Sequence, residues 1–275
     1  GYGTGTTSGS MLLYDVDVHA VEIEKKIIEA APLFSKVNYA SYADPDLDIV
    51  MDDARNYIAT TDEKFSVIVT DVTNLKYKRN PYLYTREYFE IMRGALSPDG
   101  VAAAWLPVGG LSFGDLRTLI ATFDSVFPHT TAWYFTQFPT HFISRVGTPG
   151  PTRVNLTELG EKMTQVEGDL RSLRVENVYE LASMLLLGES DIDAMVDGAS
   201  IHTDNRPILE YSDMDLYNVT DVAPNLGRLI DFQNEDLLSY FVGSELQLAE
   251  LDEHFDLYTG HYLDYIRLYE RQRLN

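Results

Sequence analysis

The sequence predicts an α/β protein: a mostly parallel sheet covered by helices over residues 1–150, then a mostly helical region over residues 151–275. Three observations lead there. Segments of strand pattern and helix pattern alternate through the first half, as crossover connections between parallel strands require. Phe65-Ser66-Val67-Ile68-Val69-Thr70 and Val101–Leu106 are short apolar runs of the kind buried on both faces of such a sheet. Beyond the Gly- and Pro-rich stretch Gly147–Thr152 the apolar residues recur at helical spacing without strand pattern, which makes that stretch the expected boundary.

Taken in order, Gly1-Tyr2-Gly3-Thr4-Gly5 is a glycine-rich turn feeding a helix at Ser8–Tyr14, and Val16–Ile23 reads as a strand that runs into acids. Lys25–Phe34 carries Ile27, Ile28, Ala31 and Leu33 on one helical face. Leu47–Met51 is the next strand and Asp53–Ala59 the next short helix; Phe65–Thr70, closed by Asp71, is expected at the centre of the sheet. Thr85 can cap a helix bearing Tyr88, Phe89, Met92 and Leu96, ended by the turn Pro98-Asp99-Gly100. Leu116, Leu119, Ile120, Phe123 and Phe127 mark a further helix, and Thr131–Thr136 with His141–Val146 lie close enough to pair as an antiparallel hairpin. Leu156–Leu173, Val178–Leu187 and Ile192–Val196 read as helices. From Leu226 onward Leu237, Tyr240, Phe241, Leu248, Leu251, Phe255, Tyr258, Tyr262 and Tyr265 suggest packed helical hairpins.

A glycine turn of this kind normally follows a strand, and none precedes Gly1. In a doubly wound sheet that strand is central. Without it two interior strands would keep unpaired backbone groups, at on the order of 1–3 kcal/mol for each buried orphan. At least one strand upstream of Gly1 is therefore expected.

Composition narrows the chemistry. Against 43 Asp+Glu stand 21 Lys+Arg, a formal charge of −22, and the basic residues are not gathered on one face, so a nucleic-acid partner is not expected. The one basic aromatic loop, Lys76, Lys78 and Arg79 with Tyr77 and Tyr82, is too short for that role and reads as a lid beside a site or a plain solvated loop. With no cysteine there is no disulfide or thiolate zinc site, and the six histidines show no ligand pairing, so no metal is expected. Apolar runs fall short of the roughly 20 residues that cross a bilayer.

What remains is carboxylate chemistry at strand ends. Glu22 lies about 20 residues past the glycines, where an acid can accept both hydroxyls of a ribose. Asp53 and Asp71 close the next two strands. Because ligands of open α/β sheets bind outside the carboxyl ends of the strands, Glu22, Asp53 and Asp71 are expected to surround one crevice with the glycine turn.

In these residues the sequence resembles a known family. Gly1-Tyr2-Gly3-Thr4-Gly5, Val21-Glu22-Ile23-Glu24, Met51-Asp52-Asp53-Ala54, Val69-Thr70-Asp71-Val72-Thr73-Asn74, Leu83-Tyr84-Thr85-Arg86-Glu87-Tyr88-Phe89 and Leu96-Ser97-Pro98-Asp99-Gly100 look like the successive motifs of the spermidine synthases, the polyamine aminopropyltransferases. The similarity is closer to bacterial spermidine synthase-like proteins in which this domain follows a membrane-embedded, transporter-like region. The run Thr203-Asp204-Asn205-Arg206-Pro207-Ile208-Leu209-Glu210-Tyr211 looks like a recurring feature of that branch.

The resemblance implies a Rossmann-like class I methyltransferase fold, a mostly parallel sheet with a C-terminal antiparallel hairpin, whose first central strand is missing here. It implies that Gly1, Gly3 and Gly5 pass close to the nucleoside of decarboxylated S-adenosylmethionine, that Glu22 holds its ribose, and that Asp53 with the Ala54 backbone reads the adenine. Asp71 matches the catalytic aspartate, with Asn74, Tyr84 and Asp204 on the side of a polyamine substrate such as putrescine. A cytoplasmic location follows, membrane-associated if the N-terminal region is of the transporter-like kind. An upstream membrane domain, a protein docking on the C-terminal helices and a homo-oligomer stay open as partners. Asn74 replaces the second aspartate of the family motif and Thr4 the aspartate often found in its glycine turn, so two negative charges facing a cation are gone. Two other readings therefore stand beside the aminopropyltransferase: a methyltransferase using ordinary S-adenosylmethionine, and a catalytically degenerate domain serving as a structural or interaction subunit.

Overall fold

The computed structural model describes residues 1–71, 75, 80–135, 142–214 and 222–273. The chain forms two compact units, Gly1–Glu63 with Glu161–Glu176, and Lys64–Gly160 with Asn177–Asn275.

The first unit holds α1 (Thr6–Leu12), β1 (Val18–Glu22), α2 (Lys25–Ala30), β2 (Leu47–Met51) and α3 (Ala54–Thr60). β1 and β2 pair in parallel from Val18 opposite Leu47 to Glu22 opposite Met51, so both strands deliver their final residues to the same end. Helix α2 is shorter than its apolar pattern promises. Pro32 cannot continue an α-helix, since its ring crowds the carbonyl four residues back, and the chain goes on as a 3₁₀ turn over Ala31–Phe34. The change of pitch splits the expected apolar face: Ala31 is buried, whereas Leu33 is 83% exposed. Tyr2, Ala20 and Ala31 form the core of this unit, with Ile27, Ile28, Tyr42, Leu47 and Ile49 against them.

The second unit holds β3 (Phe65–Thr70), α4 (Arg86–Ala95), β4 (Leu96–Pro107), α5 (Phe113–Asp124), β5 (His129–Tyr134), β6 (Phe142–Thr148) and β7 (Val154–Asn155). Helix α6 (Leu156–Gln165) begins in the second unit and ends in the first, which also holds α7 (Glu167–Ser172); the second unit continues with α8 (Val178–Ala182), β8 (Leu185–Leu187), α9 (Glu189–Val196), α10 (Val222–Ile230), β9 (Phe241–Val242) and α11 (Glu245–Arg273). Its main sheet runs β3-β4-β6-β5-β8. β3 and β4 are parallel, and β5 and β6 make the expected antiparallel hairpin.

The structure departs from several of these expectations. Among the described strands β3 pairs only with β4 and is an edge, with Val67 49% and Val69 40% exposed. A β-branched run marks a strand but does not state how many neighbours the strand has. Pro98-Asp99-Gly100 does not separate α4 from β4; it is a bulge inside β4, between the pairs Phe65–Leu96 and Val67–Val101. The run Val178–Leu187 is not one helix. It ends as a helix at Ala182, and Leu185, Leu186 and Leu187, all buried, form β8 against β5. An apolar run this short fits a buried strand as well as a helix, and the open edge of β5 decides between them. β8 thus carries the sheet across the boundary expected at residue 150, and β7, β8 and β9 give the later region strands of its own. The Leu- and Tyr-rich end is one 29-residue helix rather than hairpins, packed through Leu251, Tyr258 and Tyr262. Among the described residues no helix is long and apolar enough to cross a membrane.

The final residue of α5 carries a test of its own. Partial burial, with Asp193 of α9 adding repulsion, pushes the Asp124 carboxyl up to about 6. A raised folded pKa means that the native state holds the proton more tightly than the unfolded chain, so stability falls as pH rises from about 4 to about 6. Asp124→Asn is expected to stabilise the fold above that window by about 1 kcal/mol, after allowing for solvent screening, and to do nothing below it. Urea titrations on both sides of the window check the sign.

Candidate active site

The glycine turn is held from three sides within the first unit. Tyr2 is buried and its hydroxyl shares a hydrogen bond with Ser41 Oγ at 2.8 Å. Asn38, also buried, donates through Nδ2 to the Thr4 carbonyl at 2.9 Å and to the Ala31 carbonyl at 3.0 Å. The third support is Glu22, whose Oε2 accepts from the Tyr2 N–H at 2.9 Å and more loosely from the Gly3 N–H at 3.4 Å. Gly5, at φ 82°, caps α1 in the left-handed region, and a Cβ there would strike the Tyr2 ring, so this position needs glycine twice over.

Glu22 is therefore where the sequence put it, at the end of β1 against the glycines, and it has a second duty that the spacing did not reveal. Its Oε1 accepts from the Glu24 N–H at 2.9 Å while Oε2 serves the turn, so the carboxylate orders the backbone of the turn. In Glu22→Gln, whichever way the amide is turned, one set of N–H donors would face its NH2 group. The expected loss is about 1–3 kcal/mol, read as a lower urea midpoint.

Asp53 stands two residues past Met51, the partner of Glu22 across the ladder, so the first unit brings these two acids to one strand end. It is also the N-cap of α3: Oδ1 accepts from the Arg55 N–H at 2.9 Å and the Asn56 N–H at 3.3 Å, and Ala54 is the first helical residue. Thr4 Oγ1 bonds Thr6 Oγ1 at 2.9 Å on the exposed side of the turn.

Asp71 belongs to the second unit, directly after β3. Its side chain keeps solvent access, and partial desolvation raises its carboxyl pKa from the ordinary aspartate value. The strand end is anchored one residue earlier, where buried Thr70 Oγ1 and the Tyr88 hydroxyl of α4 lie 2.8 Å apart. Thr85 caps α4 as expected, through Oγ1 to the Tyr88 N–H. Tyr84, expected on the substrate side, is fully buried with its hydroxyl donated to the Trp105 carbonyl at 2.8 Å. That is a packing position: the ring lies 5.5 Å from the buried Arg145 guanidinium, and Phe89 and Phe123 complete the cage. Asp204 sits in a turn after His202 and donates its backbone N–H to the Glu87 carboxylate at 3.0 Å. Asn74, Lys76, Tyr77, Lys78 and Arg79 lie outside the described residues. Sequence reasoning missed Glu87 and His202; a polar contact across 117 residues leaves no mark in local spacing. Among the described residues no group of three or more His, Asp or Glu is placed to hold a metal.

Parallel strand pairs, a glycine turn into a helix and an antiparallel hairpin are the parts of a Rossmann-like α/β fold. Within that class the chain belongs to the spermine/spermidine synthase domain family, whose profile matches residues 3–145, just over half of its length. The polyamine aminopropyltransferase of Thermotoga petrophila is 28% identical over 143 residues, covering 50% of this chain and 48% of that protein. Polyamine aminopropyltransferase 1 of Pseudomonas aeruginosa is 26% identical over 118 residues, covering 42% and 40%. The chain thus spans about half the length, or less, of these curated relatives. Among solved structures, the spermidine synthase from Thermotoga maritima superposes with a TM-score of 0.53 at 21% identity, over 72% of this chain and 66% of that one. A spermidine synthase in complex with the transition-state analogue AdoDATO gives 0.51 at 19%, with the same coverage. At such identities the likeness shows the fold.

Proposed function

We propose that the protein is an aminopropyltransferase that moves the aminopropyl group of decarboxylated S-adenosylmethionine to a polyamine such as putrescine. The observation that carries this reading is an exposed, partly desolvated Asp71 directly after β3, the residue for which the sequence resemblance implies the role of catalytic aspartate. An amine nitrogen attacks the methylene carbon beside the sulfonium, the carbon–sulfur bond breaks, and its electron pair goes to sulfur, leaving a neutral thioether nucleoside. The attacking nitrogen must first be unprotonated. Asp71 is the catalytic residue that accepts the ammonium proton and orients the lone pair, a task for a carboxylate with no metal or covalent intermediate. Glu22, which already orders the glycine turn, has acceptor capacity left on Oε1 for a ribose hydroxyl, and Asp53 with Ala54 lies on the neighbouring strand end for the base.

The test is product formation from decarboxylated S-adenosylmethionine with putrescine and with longer polyamines. Spermidine or its homologue, and the thioether nucleoside in equal amount, are expected; neither forming with any amine would sink the reading. A second reading, methyl transfer from ordinary S-adenosylmethionine, is favoured by Thr4, whose neutral hydroxyl stands in the glycine turn beside Thr6. Thermal shift with the two donors separates them. The donor that is used should stabilise the fold by about 2.7 kcal/mol at 100 times its dissociation constant, and the other by much less.

A further inference from the structure

The Thr203–Tyr211 run forms a tight turn in which Thr203 and Arg206 exchange backbone hydrogen bonds of 3.3 and 3.1 Å. His202, just before it, is fully buried with its polar groups engaged. Its N–H donates to Thr122 Oγ1 of α5 at 2.9 Å, and its carbonyl accepts from the Arg86 N–H at 3.0 Å. The ring meets the Pro81 carbonyl through Nε2 at 3.0 Å and the Leu209 N–H through Nδ1 at 3.5 Å. A carbonyl can only accept, so the proton sits on Nε2 and Nδ1 offers its lone pair to Leu209. One neutral tautomer satisfies both contacts. Asp204 adds its N–H to Glu87 in the first turn of α4.

All of this converges on the start of α4, and the same helix anchors the end of β3 through Tyr88 and Thr70. We infer that His202 is a positioning residue: it clasps the 203–211 turn to the Pro81–Glu87 segment, fixes the start of α4, and through Tyr88 and Thr70 holds the strand end that carries Asp71. Only the kinetic consequence rests on the proposed role of Asp71. Burial lowers the His202 pKa, with the Pro81 carbonyl and then Glu210, Asp204 and Glu87 pulling the other way; Thr122 is the neutral contact from α5. With a folded pKa below the unfolded value of about 6.5, the clasp is at full strength above that pH and weakens as pH falls through the folded value.

The experiment compares the full chain with His202→Gln, which keeps a donor near the Nε2 position but offers Leu209 no acceptor, and His202→Asn, which does the reverse. Amide exchange at Asp71, Arg86 and Leu209 is read beside steady-state transfer from decarboxylated S-adenosylmethionine to putrescine. Protection at the Arg86 and Asp71 amides is expected to fall at least about tenfold in both variants, while β5 and β6 keep theirs, and kcat to fall about tenfold with the donor KM unchanged. In the wild type, protection at the three amides should drop between about pH 7 and about pH 5, a dependence both variants lose. Unchanged protection at Asp71 and Arg86 overturns the assignment, and so does a uniform loss that includes β5 and β6. If the wild type transfers nothing to any amine, it is the aminopropyl reading that fails, and exchange at Asp71 and Arg86 still decides the clasp.

Discussion

Asp71→Asn is expected to lower kcat with putrescine by about 10²–10⁴-fold while leaving the donor's affinity within about twofold, because the change removes a proton acceptor and little volume. The acid limb of the wild-type pH profile should be shifted upward from that of an ordinary aspartate, since partial desolvation raises the Asp71 pKa, and the variant should lack it. The same shift guards against a trivial explanation. A carboxyl whose pKa rises on folding gives up stability once pH exceeds its unfolded value, so the Asn variant should be at least as stable as wild type at neutral pH. Steady-state rates together with a urea titration read both halves. Equal rates in the two proteins would remove Asp71 from the chemistry.

The second large effect concerns Arg145. Its guanidinium is fully buried, donates to the Leu119 carbonyl at 2.6 Å and the Ala104 carbonyl at 3.4 Å, and is caged by the rings of Tyr84, Phe89 and Phe123 within 5.6 Å. Burial pulls its pKa down to about 10, which leaves it a cation at neutral pH. Arg145→Ala empties the cage where β6, α4 and α5 meet and is expected to cost about 3–5 kcal/mol. Arg145→Met fills most of the volume with no charge to desolvate and should stay within about 1.5 kcal/mol of wild type. Denaturant midpoints rank the three. If Met proves as damaging as Ala, the hydrogen bonds to the two carbonyls, rather than the filled cage, hold this junction.

Alternation of strand and helix patterns was enough to mark β1, β2, β3, α5 and the β5–β6 hairpin as elements, though not the neighbours of β3, because strand and helix periods are written locally in the chain. Where two physical outcomes share one pattern, the sequence was silent. Leu185–Leu187 fits either a helix end or a strand, and only the open edge of β5 makes it a strand. Leu33 sits at a helical position, but Pro32 changes the pitch before it. The strand-end positions of Glu22, Asp53 and Asp71 were legible because strand ends are fixed by local spacing. The burial of Tyr84 and most contacts of His202 were not, since Arg145 reaches Tyr84, and Pro81 and Thr122 reach His202, from distant parts of the chain.

The addition of β8 beside β5 bears on how the polypeptide is made. A ribosome working from the N-terminus releases the β5–β6 hairpin well before Leu185–Leu187, and until those three leucines arrive Ala132 and Trp133 have no partner along that edge. During that interval the nascent chain presents a bare strand to its neighbours, a template for pairing with the wrong molecule. Chaperone demand during synthesis should therefore centre on the stretch between Thr148 and Leu187, and a fragment released at residue 150 should aggregate where the full chain does not.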